Sequence, residues 1–273
     1  MKRPPFTADD YRRRRRGVIR ATAAAPGVEV LLITHPTDIR YLSGCTEGGS
    51  ALLFGRDWAR LYTNKMFIDT VRTQAPGVDV TIPHAPVFQQ AHHAMHRIKY
   101  RGAIGFQGAH MTWQTQQDFA AAMPRRRTID IGRAVTDYRA VKDETEVRLA
   151  RKCVHLAESA MRSMLDEGIH AFLGRTEKRL AAELEYRMRC LGADRQAFPD
   201  GGIIVAAGPH SASCHHFPTE RRVRRGDPLL FDWGAELHGY RSDITRVFFI
   251  GAPLPRLAEI YGLVHASNRV SVD

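Results

Sequence analysis

The first half of the chain alternates short apolar runs with amphipathic stretches. Apolar and β-branched residues predict strands in "VEVLLITHP", "IRYLSG", "SALLFG", "ARLYTN", "RGAIGFQG" and "RRRTIDIG". Apolar residues at helical spacing predict helices over residues 7–24 and in "VFQQAHHAMHRIKY" and "MTWQTQQDFAAAM". Strands that alternate with helices are typical of a layered α/β domain, which we assign to residues 1–134.

The pattern changes to long helices in the next segment, so we place a second domain at residues 135–273. Asp143 predicts a helix N-cap, and Glu146 completes a capping box with it. The helix that follows has apolar residues every three or four positions, at Val147, Ala150, Val154, Ala157 and Met161. A second helix, "RTEKRLAAELEYRMRCLG", ends near Gly192, and "GGIIVAAG" then predicts a strand.

Composition and charge narrow the function classes. The net charge of +11 includes arginine clusters within residues 12–16, 125–127 and 221–225. These clusters have no interleaved aromatic residues and no nucleic-acid-binding motif, which argues against nucleic acid as a partner. No apolar run approaches the about 18 residues that span a bilayer. Four scattered cysteines without a Cys-x-x-Cys pair indicate free thiols, and we therefore expect a cytoplasmic protein.

Two aspartates interrupt the β-prone stretch "LLFDWGAELHGYRSDITRVFFIG", residues 229–251. If Ala235 pairs with Tyr240 across a four-residue loop, Asp232 lies directly opposite Asp243. Opposed residues share a sheet face, and two like charges that close need a cation between them. One divalent cation, or two bridged by the carboxylates, meets that need. The alternative is an ion pair between one aspartate and a neighbouring arginine, Arg241 or Arg246.

The residues around these aspartates resemble the pita-bread metallopeptidases, which include Xaa-Pro aminopeptidases, prolidases and methionine aminopeptidases. The resemblance is strongest from about residue 198 onward, and "THPTDIRYLSG" and "RLYTN" extend it to a creatinase-type N-terminal domain. It implies an α/β N-terminal domain followed by an α+β pita-bread domain. The matching motifs are Arg225-Gly226-Asp227, Asp232, Gly234-Ala235, Gly239-Tyr240 and Ser242-Asp243-Ile244-Thr245-Arg246.

The resemblance also implies roles for three residues. Asp232 and Asp243 correspond to metal ligands, Asp243 being the carboxylate that bridges two ions of Mn²⁺, Co²⁺ or Zn²⁺. His215 corresponds to the histidine that steadies the substrate carbonyl, whereas His216 has no counterpart and is interpreted as a rim residue. The implied activity is hydrolysis of an N-terminal Xaa-Pro peptide bond by a homodimer, with a proline-containing peptide as substrate.

One departure from the family pattern affects this expectation. The family's other metal ligands, a histidine and two glutamates, come from a later part of the pita-bread domain, and His265 lies in the wrong motif to replace them. We therefore expect the pita-bread domain of this sequence to be incomplete and the 273 residues to be a truncated, inactive form.

Two alternative functions stay open. The first is other chemistry on the same fold, as in creatinases, ectoine hydrolases or dimethylsulfoniopropionate lyases. The second is a non-catalytic pita-bread binding module that lacks the metal site.

Overall fold

The computed structural model describes residues 5–22, 27–198 and 200–272 of the chain. The chain divides into two compact units, Met1–Lys142 and Asp143–Asp273. The boundary that we predicted after residue 134 falls at the start of the last helix of the first unit, which spans Ala134–Ala140. That helix packs on the first helix of the same unit, so it belongs to the N-terminal unit.

The described part of the first unit alternates strands with helices, as the sequence pattern predicts. Its helices are α1 (Ala8–Ala21), α2 (Pro36–Ser43), α3 (Ile68–Gln74), α4 (Val87–Arg97), α5 (Trp113–Ala122) and α6 (Ala134–Ala140). Its strands are β1 (Val28–Ile33), β2 (Ala51–Phe54), β3 (Ala59–Tyr62), β4 (Asp79–Thr81), β5 (Ala103–Phe106) and β6 (Thr128–Asp130). These strands form one mixed sheet in the order β4-β3-β2-β1-β5-β6.

Strand β1 lies inside this sheet and is covered on both faces. Leu31 and Ile33 point into one apolar cluster, and Val30 and Leu32 point into the other. A strand that is buried on both faces reads as a continuous apolar run rather than an alternating one, which is why "VLLI" is apolar throughout.

The arginine cluster of α1 is partly built into the fold of this unit. Arg14 and Arg15 are buried, and the Arg14 guanidinium lies 3.8 Å from the ring centroid of Phe6 and 4.3 Å from that of Tyr41. Arg15 donates a hydrogen bond of 2.8 Å to the carbonyl of Leu42. Two of the five arginines of this cluster therefore hold α1 against α2 rather than face solvent.

Two predictions for the first unit need comment. The segment "IRYLSG" is helical, as part of α2, so the predicted strand is wrong. Pro36 at the first turn and Gly44 at φ +89° after the last turn favour a short helix there. The predicted helix over residues 7–24 is confirmed as α1 with Thr7 as N-cap, and the end of the prediction, residues 23–24, lies outside the described residues.

The second unit begins with two packed helices and continues into two small antiparallel sheets. Its helices are α7 (Glu144–Leu165), α8 (Glu177–Cys190) and α9 (Pro255–Val272). Its strands are β7 (Arg195–Gln196), β8 (Ile204–Ala207), β9 (Pro228–Trp233), β10 (Ala235–Leu237), β11 (Tyr240–Arg241) and β12 (Ile244–Phe249). The described strands are ordered β11-β10-β7 in one sheet and β12-β9-β8 in the other.

Helix α7 confirms the predicted capping box, because Asp143 accepts from the Glu146 amide and Glu146 accepts from the Asp143 amide. The buried face, however, is rotated relative to the prediction. Val147 and Val154 are more than a third exposed, whereas Leu149 and Cys153 are buried with Ala157. Within the described residues, no helix combines the length and apolar character needed to cross a membrane.

Candidate metal and catalytic site

Strand β9 places Asp232 on the face of its sheet that is turned away from the core. Alternate residues Leu229, Phe231 and Trp233 are buried, and the Trp233 indole donates a hydrogen bond of 3.0 Å to the carbonyl of Ala157 on α7. This hydrogen bond, together with the buried side chains, determines which face of β9 is turned towards the core. Asp232 consequently lies, half-buried, on the opposite face.

The predicted register of the hairpin is wrong. Leu237 pairs with Tyr240 and Asp232 pairs with Thr245, so Asp232 is not directly opposite Asp243. The reason is the turn, which contains two residues rather than four. His238 at φ 52° and Gly239 at φ 82° supply the two left-handed conformations that a type I′ turn requires.

Asp243 nevertheless lies close to Asp232. Asp243 precedes Thr245 by two residues, which makes it a diagonal neighbour of Asp232 across the two strands. The pairing is irregular between the β10–β11 ladder and the β9–β12 ladder, where the Ser242 hydroxyl accepts a hydrogen bond of 3.0 Å from the Ala235 amide. The backbone also approaches very closely there: a Cβ on Gly234 would lie 1.8 Å from the Ser242 carbonyl oxygen.

The electrostatics of Asp232 reflect this proximity. Burial raises the pKa of Asp232, a hydrogen bond of 2.8 Å from the Thr245 hydroxyl opposes the rise, and the charge of Asp243 adds to it. His215, when protonated, lowers the same pKa, so this exposed side chain is also within electrostatic reach. The structure thus brings together the three residues that the sequence singled out.

The alternative of an ion pair with a neighbouring arginine is not favoured by the contacts of those arginines. Arg241 donates to the buried Glu236 carboxylate at 2.7 Å. Arg246 donates to the carbonyl of Thr245. A bound metal cation therefore offsets the charge of the two adjacent carboxylates better than either arginine side chain does.

The donor set fits a divalent metal ion. Two adjacent carboxylates gain when their mutual repulsion is relieved, the pKa of Asp232 being raised, and carboxylate oxygens suit ions such as Mn²⁺. The partial exposure of both side chains leaves room for further ligands and for water. Asp232 and Asp243 would hold the ion, and His215 stands beside them without being part of the set.

The Arg-Gly-Asp motif has a structural role in this unit. Both carboxylate oxygens of Asp227 accept from the Arg221 guanidinium at 3.0 Å, and Asp227 also accepts from the Arg224 amide at 2.9 Å. Arg221 donates further to the carbonyl of Ala207 at 2.9 Å. These bonds tie the chain just before β9 to the end of β8.

Sequence reasoning missed a second cluster in this unit, formed by Glu177, His210 and His216. Glu177 is fully buried, and both histidine rings contact its carboxylate. The interpretation of His216 as a rim residue is therefore wrong, since its side chain is only 12% exposed and bonded to Glu177. In the first unit, Asp38 forms a comparable group with His35 and His110. Local pattern could not reveal either cluster, because each needs one residue that is far from the others in sequence: His110 in the first unit and Glu177 in the second.

Comparisons with known proteins agree with this architecture. Residues 148–272 match the sequence model of metallopeptidase family M24, and residues 15–141 match that of the creatinase/prolidase N-terminal domain. An uncharacterised peptidase of Bacillus subtilis is 27% identical over 90% of this chain and 68% of its own. A Xaa-Pro dipeptidase of Pyrococcus furiosus is 26% identical over 90% of this chain and 67% of its own.

Solved structures show the same fold. The X-Pro aminopeptidase of Thermotoga maritima superposes with a TM-score of 0.82 and 26% identity, covering 92% of this chain and 69% of that protein. The two family matches lie one in each compact unit. The chain therefore joins a creatinase/prolidase N-terminal domain to a pita-bread domain of the metallopeptidase family M24 type.

Proposed function

We propose that this chain provides part of a dimetal site for hydrolysis of N-terminal Xaa-Pro peptide bonds. The match to metallopeptidase family M24 indicates a metallopeptidase that works with divalent metal ions. The observation that carries the proposal is the adjacency of Asp232 and Asp243 beside His215, where burial, and then the charge of Asp243, raise the pKa of Asp232. Relatives named Xaa-Pro dipeptidase and X-Pro aminopeptidase support proline after the scissile bond.

The residues divide the work as follows. Asp232 and Asp243 hold the metal through carboxylate oxygens, and Thr245 orients Asp232 by its hydrogen bond. A bound divalent ion lowers the pKa of coordinated water and polarises a carbonyl. His215 is exposed beside the pair and donates a hydrogen bond to the substrate carbonyl oxygen, where negative charge develops during attack.

Metal binding is the first test. Calorimetric titration of the 273-residue protein with Mn²⁺, and with Co²⁺ and Zn²⁺ for comparison, should show binding that Asp232→Asn and Asp243→Asn each weaken at least about tenfold. His215→Ala should leave the affinity unchanged, because His215 is proposed to contact substrate rather than metal. Equal affinity in all variants would contradict the ligand assignment. Absence of binding would instead favour the non-catalytic binding module.

Substrate class is tested by binding of dipeptides. Ala-Pro added to the Zn²⁺-loaded protein should shift the ring resonances of His215, and Ala-Ala should shift them less. The His215→Ala variant identifies the resonance. Equal shifts with both dipeptides would argue for another chemistry on this fold.

We also propose that these 273 residues alone do not catalyse turnover. The resemblance implies a histidine and two glutamates as further ligands, and the proposed set here contains only Asp232 and Asp243. One of those glutamates would also take a proton from the attacking water. Xaa-Pro dipeptides should remain intact with Mn²⁺ under conditions where the Pyrococcus furiosus Xaa-Pro dipeptidase cleaves them. Comparable turnover would overturn this proposal.

The compartment and the assembly are further proposals. Cys45 and Cys153 are buried free thiols, and Cys190 and Cys214 are exposed free thiols, which suits a cytoplasmic protein. The family resemblance supports a homodimer. Light scattering of the purified protein tests the assembly, and a monomer at micromolar concentration would contradict it.

A further inference from the structure

The loop between β8 and β9 carries His215. A single buried side chain forms hydrogen bonds to several residues of this loop. That side chain is Glu177, the first residue of α8, which follows the N-cap Thr176. The Glu177 side chain is 0% exposed, although it is a carboxylate. Burial of an ionised carboxylate is costly unless hydrogen bonds replace its water.

Five donors surround the Glu177 carboxylate. Its Oε1 accepts from the Ala207 amide at 2.8 Å and from His210 Nδ1 at 2.9 Å. Its Oε2 accepts from His216 Nε2 at 3.0 Å and from both the amide and the hydroxyl of Thr219, at 2.9 and 2.7 Å. One side chain therefore ties the end of β8, at Ala207, to three points along residues 208–219.

We propose that Glu177 is a positioning residue that fixes the loop 208–219 and thereby holds His215 beside Asp232 and Asp243. The loop residues that are hydrogen-bonded to Glu177 lie on both sides of His215 in the sequence: His210 precedes it, and His216 and Thr219 follow it. The rings of His210 and His216 also contact each other, with centroids 4.4 Å apart. His215 itself remains exposed, so the loop is fixed while the working side chain stays free to meet substrate.

Hydrogen bonding explains this cluster better than a metal ion does. Two histidines and a carboxylate resemble a zinc ligand set. However, three of the contacts to Glu177 come from Ala207 and Thr219, groups that can only donate to it here, and they occupy both oxygens. The two imidazoles complete the shell as N–H donors, which fixes the tautomer of each ring.

The inference rests on the proposed role of His215, but its main test does not require activity. Glu177→Gln keeps the shape of the side chain and replaces one oxygen by an amino group. In either orientation that amino group faces a backbone amide, of Ala207 or of Thr219, and cannot accept from it. Hydrogen exchange of the amide that the amino group faces, Ala207 or Thr219, should therefore accelerate by about tenfold or more.

Glu146→Gln is the matched control. Glu146 is another buried glutamate of this unit, and it accepts from the Asp143 amide and from the Tyr240 hydroxyl rather than from the loop. The Glu146→Gln variant should have a lower melting temperature, but the amides of residues 208–219 should not exchange faster than those elsewhere in the unit. Equal acceleration of the loop amides in both variants would mean a loss of overall stability and would overturn the positioning role.

A spectroscopic measurement distinguishes whether Glu177 positions His215 near the metal or only stabilises the fold. Mn²⁺ bound at Asp232 and Asp243 should broaden the ring resonances of His215 in the unaltered protein and in Glu146→Gln. In Glu177→Gln this broadening should fall while Mn²⁺ affinity stays within roughly twofold, since the ligands are unchanged. Unaltered broadening in Glu177→Gln would contradict the proposal. If the unaltered protein binds no Mn²⁺, the proposed function fails, and the exchange experiment still decides the role of Glu177.

Thr219 provides a milder pair of variants in case Glu177→Gln does not fold. Thr219→Val removes the 2.7 Å hydroxyl bond to Glu177, and Thr219→Ser keeps the hydroxyl. In the valine variant, the loop amides should exchange faster and Mn²⁺ should broaden the His215 resonances less. The serine variant should behave like the unaltered protein in both measurements. Identical behaviour of the two variants would overturn the proposal.

Discussion

At the scale of single residues, Asp232 and Asp243 disfavour the folded state as long as no cation is bound. Burial and the charge of Asp243 both raise the pKa of Asp232. A carboxyl group whose pKa is higher in the folded than in the unfolded state stabilises the fold only at low pH. That contribution is lost as pH rises through the folded-state pKa, so at neutral pH the ionised Asp232 carboxylate destabilises the fold.

Asp243→Asn should therefore raise the melting temperature of the metal-free protein at pH 7, because it removes the repulsion. The same variant should lose the increase in melting temperature that Mn²⁺ produces in the unaltered protein. Thermal scans with and without Mn²⁺ measure both effects. Asp166→Asn, a change at an exposed aspartate of the same unit, is the control and should show neither. A destabilised metal-free Asp243→Asn would show that the two carboxylates do not repel.

Glu177 predicts the opposite dependence on pH. Burial by itself raises the pKa of Glu177, but the hydrogen bonds from Ala207, His216 and Thr219 more than offset this and lower it to about 2. A depressed pKa stabilises the fold above the unfolded value, which is near 4.5, and the contribution is lost as pH falls towards 2. The difference corresponds to roughly 3 kcal/mol.

Urea denaturation between pH 2 and pH 6 tests this linkage. The unaltered protein should lose unfolding free energy steeply as pH falls from about 4.5 towards 2, and Glu177→Gln should lose less over the same window. Parallel curves for the two proteins would show that Glu177 does not titrate as its hydrogen bonds require. Other carboxylates contribute equally to both curves and cancel in the comparison.

At the scale of elements, the hairpin of β9 to β12 places the aspartates through a close backbone contact. A side chain at Gly234 would collide with the Ser242 carbonyl, because the Cβ would lie 1.8 Å from that oxygen. The neighbouring atoms are backbone, so they cannot turn aside as the end of a flexible side chain could. Only glycine allows this approach.

Gly234→Ala should therefore destabilise the protein by roughly 2–3 kcal/mol and weaken Mn²⁺ binding, because the two strands must separate between Asp232 and Asp243. Gly262→Ala is the matched control. Gly262 lies in α9 with open space around it, so alanine should change the free energy of unfolding by less than about 1 kcal/mol. Urea denaturation and calorimetry measure the two effects. Equal stability of both variants would show that the hairpin can open without cost.

The same hairpin shows which features the sequence could reveal. The β-prone residues predicted β9 and β12 correctly, but the register depended on the number of turn residues. The left-handed conformation of His238 has no strong signal, since the residue is not glycine, although Gly239 after it favours a tight turn. An error of this kind moved Asp243 from a diagonal to a direct neighbour of Asp232.

The Glu177 cluster could not be predicted in the same way. The cluster joins Glu177 to His210, His216 and Thr219, which follow it in the sequence by 33 to 42 residues. Only the packing of α8 against β8 brings the helix start to the loop. Patterns of spacing report on single elements, whereas a buried polar network depends on how elements pack.

At the scale of the whole molecule, the N-terminal unit has its own core. The two apolar clusters that flank its sheet are formed entirely by residues before Lys142. A unit that buries its apolar surface within itself has the properties of an independent domain. Residues 1–142 expressed alone should therefore unfold cooperatively in urea, as followed by circular dichroism.

The place where this unit ends gives the sharpest test, since the sequence pattern suggested residue 134 and the contacts indicate residue 142. Helix α6 lies between these points, with Val135 fully buried in the core and Tyr138 in edge contact with Tyr41. Arg139 also donates a hydrogen bond of 2.8 Å to Asp38, whose side chain is only 1% exposed. Burial of one valine contributes about 1.5–3 kcal/mol, and the loss of Arg139 leaves a buried carboxylate without its guanidinium.

A fragment of residues 1–134 should therefore be less stable than residues 1–142 by about 3 kcal/mol or more, or should fail to unfold cooperatively. Val141→Ser in the longer fragment is the control, because Val141 is 80% exposed and its replacement should leave the free energy of unfolding nearly unchanged. Urea midpoints of the three proteins decide the question. Equal midpoints for residues 1–134 and 1–142 would mean that α6 adds nothing to the N-terminal domain and that the boundary belongs where the change of sequence pattern placed it.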